Sequence, residues 1–242
     1  MNVLIITGGS SGIGKAIAQK YASENFTVIS ISRSIAKNVD YKQIQADLSN
    51  TSSAIGAFQK ASDLLVLENL TSITLLNNAG SLGEMQTLGN LDSEKIQDII
   101  QLNTTTPIIL SNEFSRLTKN LPCKKQIISI SSGAAVNAYA GWSLYCASKA
   151  ALEMMTKTLA TEQNNNRNGI KAIAIKPGVV DTNMQKLIRN TPASAFKHVQ
   201  RFKDLKKNNA LYSTTFVASK IYEIACSNKL QNGEIIDLRT YE

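Results

Sequence analysis

Tyr145 and Lys149 stand four residues apart. On a helix that spacing places both side chains on one face. A phenol with a pKa of about 10 is a poor acid–base group at neutral pH, and a neighbouring ammonium is expected to lower that value by favouring the phenolate. A tyrosine tuned in this way can protonate a carbonyl oxygen, or take the proton of an alcohol. Taken alone, the pair also describes an ordinary amphipathic helix surface. Upstream, Ser131 and Ser132 offer hydroxyls that can hydrogen-bond an oxygen on which negative charge develops. Near the start, Thr7-Gly8-Gly9-Ser10-Ser11-Gly12-Ile13-Gly14 forms a glycine-rich run. Glycines allow a tight turn and close approach of a ligand to the backbone, and the N-terminus of a following helix attracts phosphate. The spacing is Gly-x3-Gly-x-Gly rather than G-x-G-x-x-G, and a glycine-rich turn without a ligand is the competing reading.

The elements that must position these residues follow from apolar patterning. Residues 3–7, 26–31, 41–45, 72–77, 125–131, 170–176 and 235–238 read as strands. Between them, 12–23, 51–65, 106–119, 144–161 and 213–227 read as helices, and Asp92 reads as the N-cap of a helix running through Asn103. Strands alternating with helices predict an α/β fold: a single Rossmann-type domain whose doubly wound, mainly parallel, seven-stranded sheet has helices on both faces. Such sheets bind ligands beyond the carboxyl ends of their strands, where the motifs fall.

Composition excludes several alternatives. The 242 residues are 43% hydrophobic and 18% charged, enough apolar material for a core and too little charge for a disordered chain. Cys123, Cys146 and Cys226 are odd in number and widely spaced, which argues against a disulfide framework or a zinc site and suits a reducing compartment. No signal-like segment and no membrane-length apolar run is evident, so a cytoplasmic location without a membrane partner is expected. Cys146 has no histidine placed by sequence to activate it, and His198, the single histidine, supplies neither a ligand set nor a relay, so no metal is expected.

The motifs together resemble the short-chain dehydrogenase/reductase family along nearly the whole chain. TGGSSGIG is similar to that family's cofactor loop. Asp47-Leu48 falls where the family contacts adenine, Asn77-Asn78-Ala79-Gly80 matches its NNAG, Tyr145-x3-Lys149 its YxxxK, and Pro177-Gly178, Val180 and Thr182 its motif after the sixth strand. The resemblance implies a catalytic set of Asn103, Ser132, Tyr145 and Lys149. Ser132 is preferred over Ser131 because it lies 13 residues before Tyr145. Asn103 is implied to hold a water connecting Lys149 to solvent. The implied cofactor contacts are Gly8, Ser10, Ser11, Gly12, Ile13, Gly14, Ser32, Arg33, Asp47, Leu48, Asn78, Ala79, Gly80, Tyr145, Lys149, Pro177, Gly178, Val180 and Thr182. The second strand is followed by Arg33 rather than an acid, and a guanidinium can pair with a 2′-phosphate, so the cofactor is expected to be NADP(H). A solvated loop cation is the alternative for Arg33.

Three segments resemble the sepiapterin reductase and benzil reductase branch: Gly141-Trp142-Ser143-Leu144-Tyr145-Cys146, Asp181-Thr182-Asn183-Met184-Gln185, and the end segment with Gly233 and Asp237. The branch implies NADPH-dependent reduction of vicinal dicarbonyls, with Ser132, Trp142, Tyr145 and Asp237 meeting the substrate. Trp142 reads equally well as an aromatic wall or as core packing. The alternatives are a 3-oxoacyl thioester reductase acting on an acidic carrier protein, and a non-catalytic NADP(H)-binding sensor. A homodimer or homotetramer is expected from the resemblance, and no nucleic-acid motif is visible.

The net charge of +8 is unevenly spread. Residues 183–210 hold seven Lys/Arg and one acid, Asp204, for a local +6. This segment falls within residues 183–212, where the family carries its substrate lid. The excess is read as solvated outer faces of lid helices, as steering of an anionic cofactor or substrate, or as a carrier-protein dock.

Overall fold

The computed structural model describes residues 1–227 and 230–241. The first half runs β1 (Asn2–Thr7), α1 (Gly12–Ser23), β2 (Thr27–Ser32), β3 (Lys42–Gln45), α2 (Thr51–Asp63), β4 (Ser72–Asn77), α3 (Ser93–Ile100) and α4 (Thr106–Thr118). The second half runs β5 (Lys124–Ile130), α5 (Ser143–Gln163), β6 (Lys171–Lys176), α6 (Asn183–Asn190), α7 (Val199–Lys207), α8 (Thr214–Cys226) and β7 (Ile235–Asp237). The seven strands form one parallel sheet in the order β3-β2-β1-β4-β5-β6-β7.

Why the strands read as continuous apolar runs is visible in β1. Val3 and Ile5 pack into the core on one face with Ala57, Phe58 and Phe114, from α2 and α4. Leu4 and Ile6 pack on the other with Ile17, Tyr21 and Ile221, from α1 and α8. Both faces are covered, so both sets of alternating side chains are apolar. The chain winds outward from β1 through β2 to β3, then returns to place β4 on β1's other side. The crevice between β1 and β4 is thus the point where the winding reverses, the usual ligand position in such sheets.

A third apolar cluster lies beyond the carboxyl ends of the strands and joins Leu82, Trp142 and Tyr145 to Ile188, Phe196, Val199 and Phe202. It seats α6 and α7, which occupy most of the expected 183–212 lid, over the site. Gly141 makes this approach possible: its φ is +90°, and a Cβ there would stand 2.5 Å from the Ala195 carbonyl oxygen.

The expected strands and helices are present with ends displaced by one to a few residues. One difference is of kind rather than extent. The helix through Asn103 does not stop there: α3 passes through a π-helical turn, Gln101–Thr105, directly into α4.

Candidate active site

The site is assembled from the carboxyl ends of β1, β4, β5 and β6. After β1, the chain turns through Gly8 and enters α1 at Gly12, with Ser11 as N-cap. The Ser11 side chain makes no capping bond and no acid lies in the first turn, so the first N–H groups of α1 are left for an external acceptor. Gly14 must lack a side chain, since a Cβ would stand 2.3 Å from the Gly8 carbonyl oxygen and 2.4 Å from Asn78 Nδ2. Asn78 ties the two crevice strands together: its Nδ2 donates to the Thr7 and Gly8 carbonyls at 3.0 and 3.2 Å. The backbone N–H groups of Asn78 and Ala79 both donate to Thr7 Oγ1 at 3.0 Å. Across the crevice, Thr182 caps α6 and its Cγ2 lies 3.6 Å from where a Gly12 side chain would begin. Two helix N-termini therefore face one cleft, a cradle suited to a phosphate-bearing cofactor.

Arg33 is exposed just past β2. Ser10 and Ser34 hydroxyls meet beside it at 3.1 Å, and Ser32 Oγ donates to the Ser34 carbonyl at 3.0 Å. Asp47 accepts from the hydroxyl and N–H of Ser49 at 2.7 and 3.0 Å. Those bonds hold its carboxyl below the usual range, with Arg33's charge adding to the effect. Leu48 is buried beside Asp47.

Tyr145, Lys149 and Asn103 are all buried, and Ser132 is half-buried at the cleft. Ser132 caps the short turn Gly133–Ala135, its Oγ accepting from Ala134 N–H at 3.2 Å. Ser131 is committed elsewhere: its hydroxyl donates to Glu153 Oε1 at 2.7 Å, and Lys176 closes a pair with the same carboxylate at 3.3 Å. Lys149 Nζ donates to the Ile130 carbonyl at 2.8 Å and lies 5.7 Å from the centre of the Tyr145 ring. Asn103 sits in the π-helical turn. Its Nδ2 donates to the Ser81 carbonyl at 2.7 Å and to Ser148 Oγ at 3.2 Å, while its Oδ1 accepts from Ser81 N–H at 2.9 Å. It thereby pins the loop after β4 to α5, and Gly80 lies within reach of both Asn103 and Lys149.

The electrostatics correct one expectation. Burial pushes the Tyr145 phenol up, and the Ser132 hydroxyl only partly opposes this. Lys149, predicted to lower the phenol, is itself pushed down to about 8 by burial. Burial disfavours the charged form of each group, and the Lys149 ammonium is directed to the Ile130 carbonyl.

Trp142 is both core and wall. It stacks on Phe196 at 4.5 Å with 8° between ring planes, meets Tyr145 edge-on at 5.6 Å, and lines the cleft. The same cleft is lined by Asn78, Gly80, Ser132, Lys149, Pro177, Gly178, Val180 and Thr182. Asp237 takes a different place from the one expected of a substrate anchor. Arg239 grips its carboxylate through Nε at 2.8 Å and through Nη2, and it is Arg239 that lines the cleft. Sequence reading also missed Tyr139, Arg201 and Phe202 as cleft residues; Arg201 and Phe202, on α7, meet Tyr139 and Trp142 across about sixty residues of chain.

Comparison with known proteins places the chain by family and fold. A family model described as short chain dehydrogenase matches residues 2–193. The chain is 35% identical over 244 residues to benzil reductase ((S)-benzoin forming) of Bacillus subtilis, covering all of both chains. It is 28% identical to sepiapterin reductase of Rattus norvegicus, covering 97% of this chain and 95% of that protein. Among solved structures, a short chain dehydrogenase/reductase from Saccharomyces cerevisiae superposes with a TM-score of 0.84 at 26% identity, covering 98% of this chain and 96% of that one.

Proposed function

The chain belongs to the short-chain dehydrogenase family and is an oxidoreductase acting on C=O and CH–OH groups, and we propose that it is an NADPH-dependent reductase of α-dicarbonyl compounds. The observation that carries this reading is the cleft itself: Ser132 and Tyr145 face an aromatic wall of Trp142 and Phe202, suited to a flat, apolar diketone. The full-length similarity to a benzil reductase supports it.

The residues present fit a dinucleotide. The first N–H groups of α1 would hold its diphosphate, Asp47 and Leu48 would meet the adenine, and Arg33 with Ser10 and Ser34 would take the 2′-phosphate. When bound, NADPH supplies the hydride. The Ser132 hydroxyl hydrogen-bonds the carbonyl oxygen as charge gathers on it, and the Tyr145 phenol gives that oxygen its proton. The high pKa of the buried phenol keeps it protonated, which suits an acid in the direction of reduction. Lys149 and Asn103 hold α5, β5 and the loop after β4 in register around that phenol.

The test is NADPH oxidation with benzil, sepiapterin and an acetoacetyl thioester. Benzil is expected to give the highest kcat/KM. Preference for the thioester would establish the carrier-protein reading instead, which the basic 183–210 segment favours. Inertness toward all three would leave a cofactor-binding sensor. We further propose a cytoplasmic homodimer or homotetramer, to be checked by sedimentation; no described helix is long and apolar enough to cross a membrane.

A further inference from the structure

Two cations in the cleft take no part in the chemistry assigned to Ser132, Tyr145 and Lys149. Arg201, on α7, and Arg239, just past β7, both line it. Arg201 Nη1 donates to the Tyr139 hydroxyl at 3.0 Å, and its guanidinium lies 5.7 Å from the Phe202 ring centre. Tyr139 also lines the cleft, and a hydroxyl that accepts one hydrogen bond retains a proton to donate. Arg239 spends Nε and one Nη2 hydrogen on Asp237, which fixes the plane of its fork and leaves Nη1 for another acceptor. Its Nη2 lies 3.6 Å from where a Gly133 side chain would begin, so the guanidinium reaches the residue that follows Ser132.

Among the described residues that line the cleft there is no aspartate or glutamate. Lys176 is matched by Glu153 behind it, and Arg239 by Asp237, while Arg201 has no carboxylate partner among the described residues. The same cleft is lined by apolar Leu82, Ile188 and Trp142, the last in ring contact with Tyr139 at 5.1 Å. A neutral diketone would fill the apolar side and leave the donors facing it unused. A planar anion such as a carboxylate accepts from a guanidinium fork and a phenol together.

We propose that Arg201, Tyr139 and Arg239 form an anion-recognition wall, and that the preferred substrate is an α-dicarbonyl with an aromatic body and a carboxylate-type substituent. The dicarbonyl part rests on the reductase reading above; the anion wall rests on the cleft alone. The experiment separates the two. Trp142 is the single tryptophan, so its fluorescence reports binding without turnover. With NADP+ saturating, benzoate is expected to bind about tenfold more tightly than benzamide, and the preference is expected to vanish in R201Q/R239Q and to weaken in R201Q. In the kinetic arm, 4-carboxybenzil is expected to exceed benzil about tenfold in kcat/KM, through KM, with the ratio falling to about one in the double variant. Equal binding of benzoate and benzamide, or a benzoate preference that survives in R201Q/R239Q, overturns the anion wall. Selective benzoate binding without reduction of either diketone supports the wall and overturns the dicarbonyl reading.

Discussion

At the scale of single residues, function is set by burial as much as by residue type. Lys149 is charged in the unfolded chain up to its ordinary pKa, but folding pushes it down to about 8. The unfolded state therefore binds more protons between about 8 and 10.5, and stability contributed by this site rises with pH across that window. Below it the folded protein bears a net cost for the buried ammonium on the order of 3 kcal/mol. K149M should thus be inactive yet more stable than wild type at pH 7 by about 2 kcal/mol, with the gain shrinking toward pH 10; urea denaturation at the two pH values checks this. Arg33 is the residue to which the proposed NADPH preference is assigned. R33D is expected to lower the ratio of kcat/KM for NADPH over NADH at least about tenfold, and an unchanged ratio would remove Arg33 from the account.

At the scale of elements, the site depends on α6 and α7 being seated on the Trp142 cluster. Phe196 lies wholly buried between them, stacked on Trp142. F196A should cost about 3–5 kcal/mol and shift Trp142 fluorescence toward that of a hydrated indole, both measurable in one denaturation series. The strands around the site were legible in the sequence because each is buried on both faces and so leaves a continuous apolar run, as in Leu4, Ile5 and Ile6. The glycine loop, Tyr145, Lys149 and Ser132 were legible because their spacing is local. The π-helical turn at Asn103 was not: one extra residue in a helix barely alters the apolar period, and the tie to Ser81 that holds it spans 22 residues. Nor was the capture of Asp237 by Arg239, since two residues two apart pair only once the strand end turns, and the Arg201–Tyr139 bond joins residues 62 apart.

At the scale of the whole molecule, +6 of the +8 charge falls in residues 183–210, the segment that holds α6 and α7. Lys203 and Lys207 stand exposed on α7, while Lys206 pairs with Asp181 at 2.6 Å. If this surface steers the anionic cofactor, replacing all three lysines with glutamine raises the KM for NADPH several-fold at low salt. The difference should disappear at about 1 M salt, where the screening length is about 3 Å, and stopped-flow association rates at the two salts check it. In the proposed reaction Tyr145 is the proton donor to a bound dicarbonyl during its NADPH-dependent reduction. The most direct measurement is benzil-dependent NADPH oxidation by wild type and Y145F side by side, with NADPH binding followed by its fluorescence. Wild type is expected to form benzoin, and Y145F to do so at least about a hundredfold more slowly, with NADPH bound as tightly in both. Comparable turnover in Y145F, or a wild-type enzyme inert toward benzil, would contradict the proposed reaction.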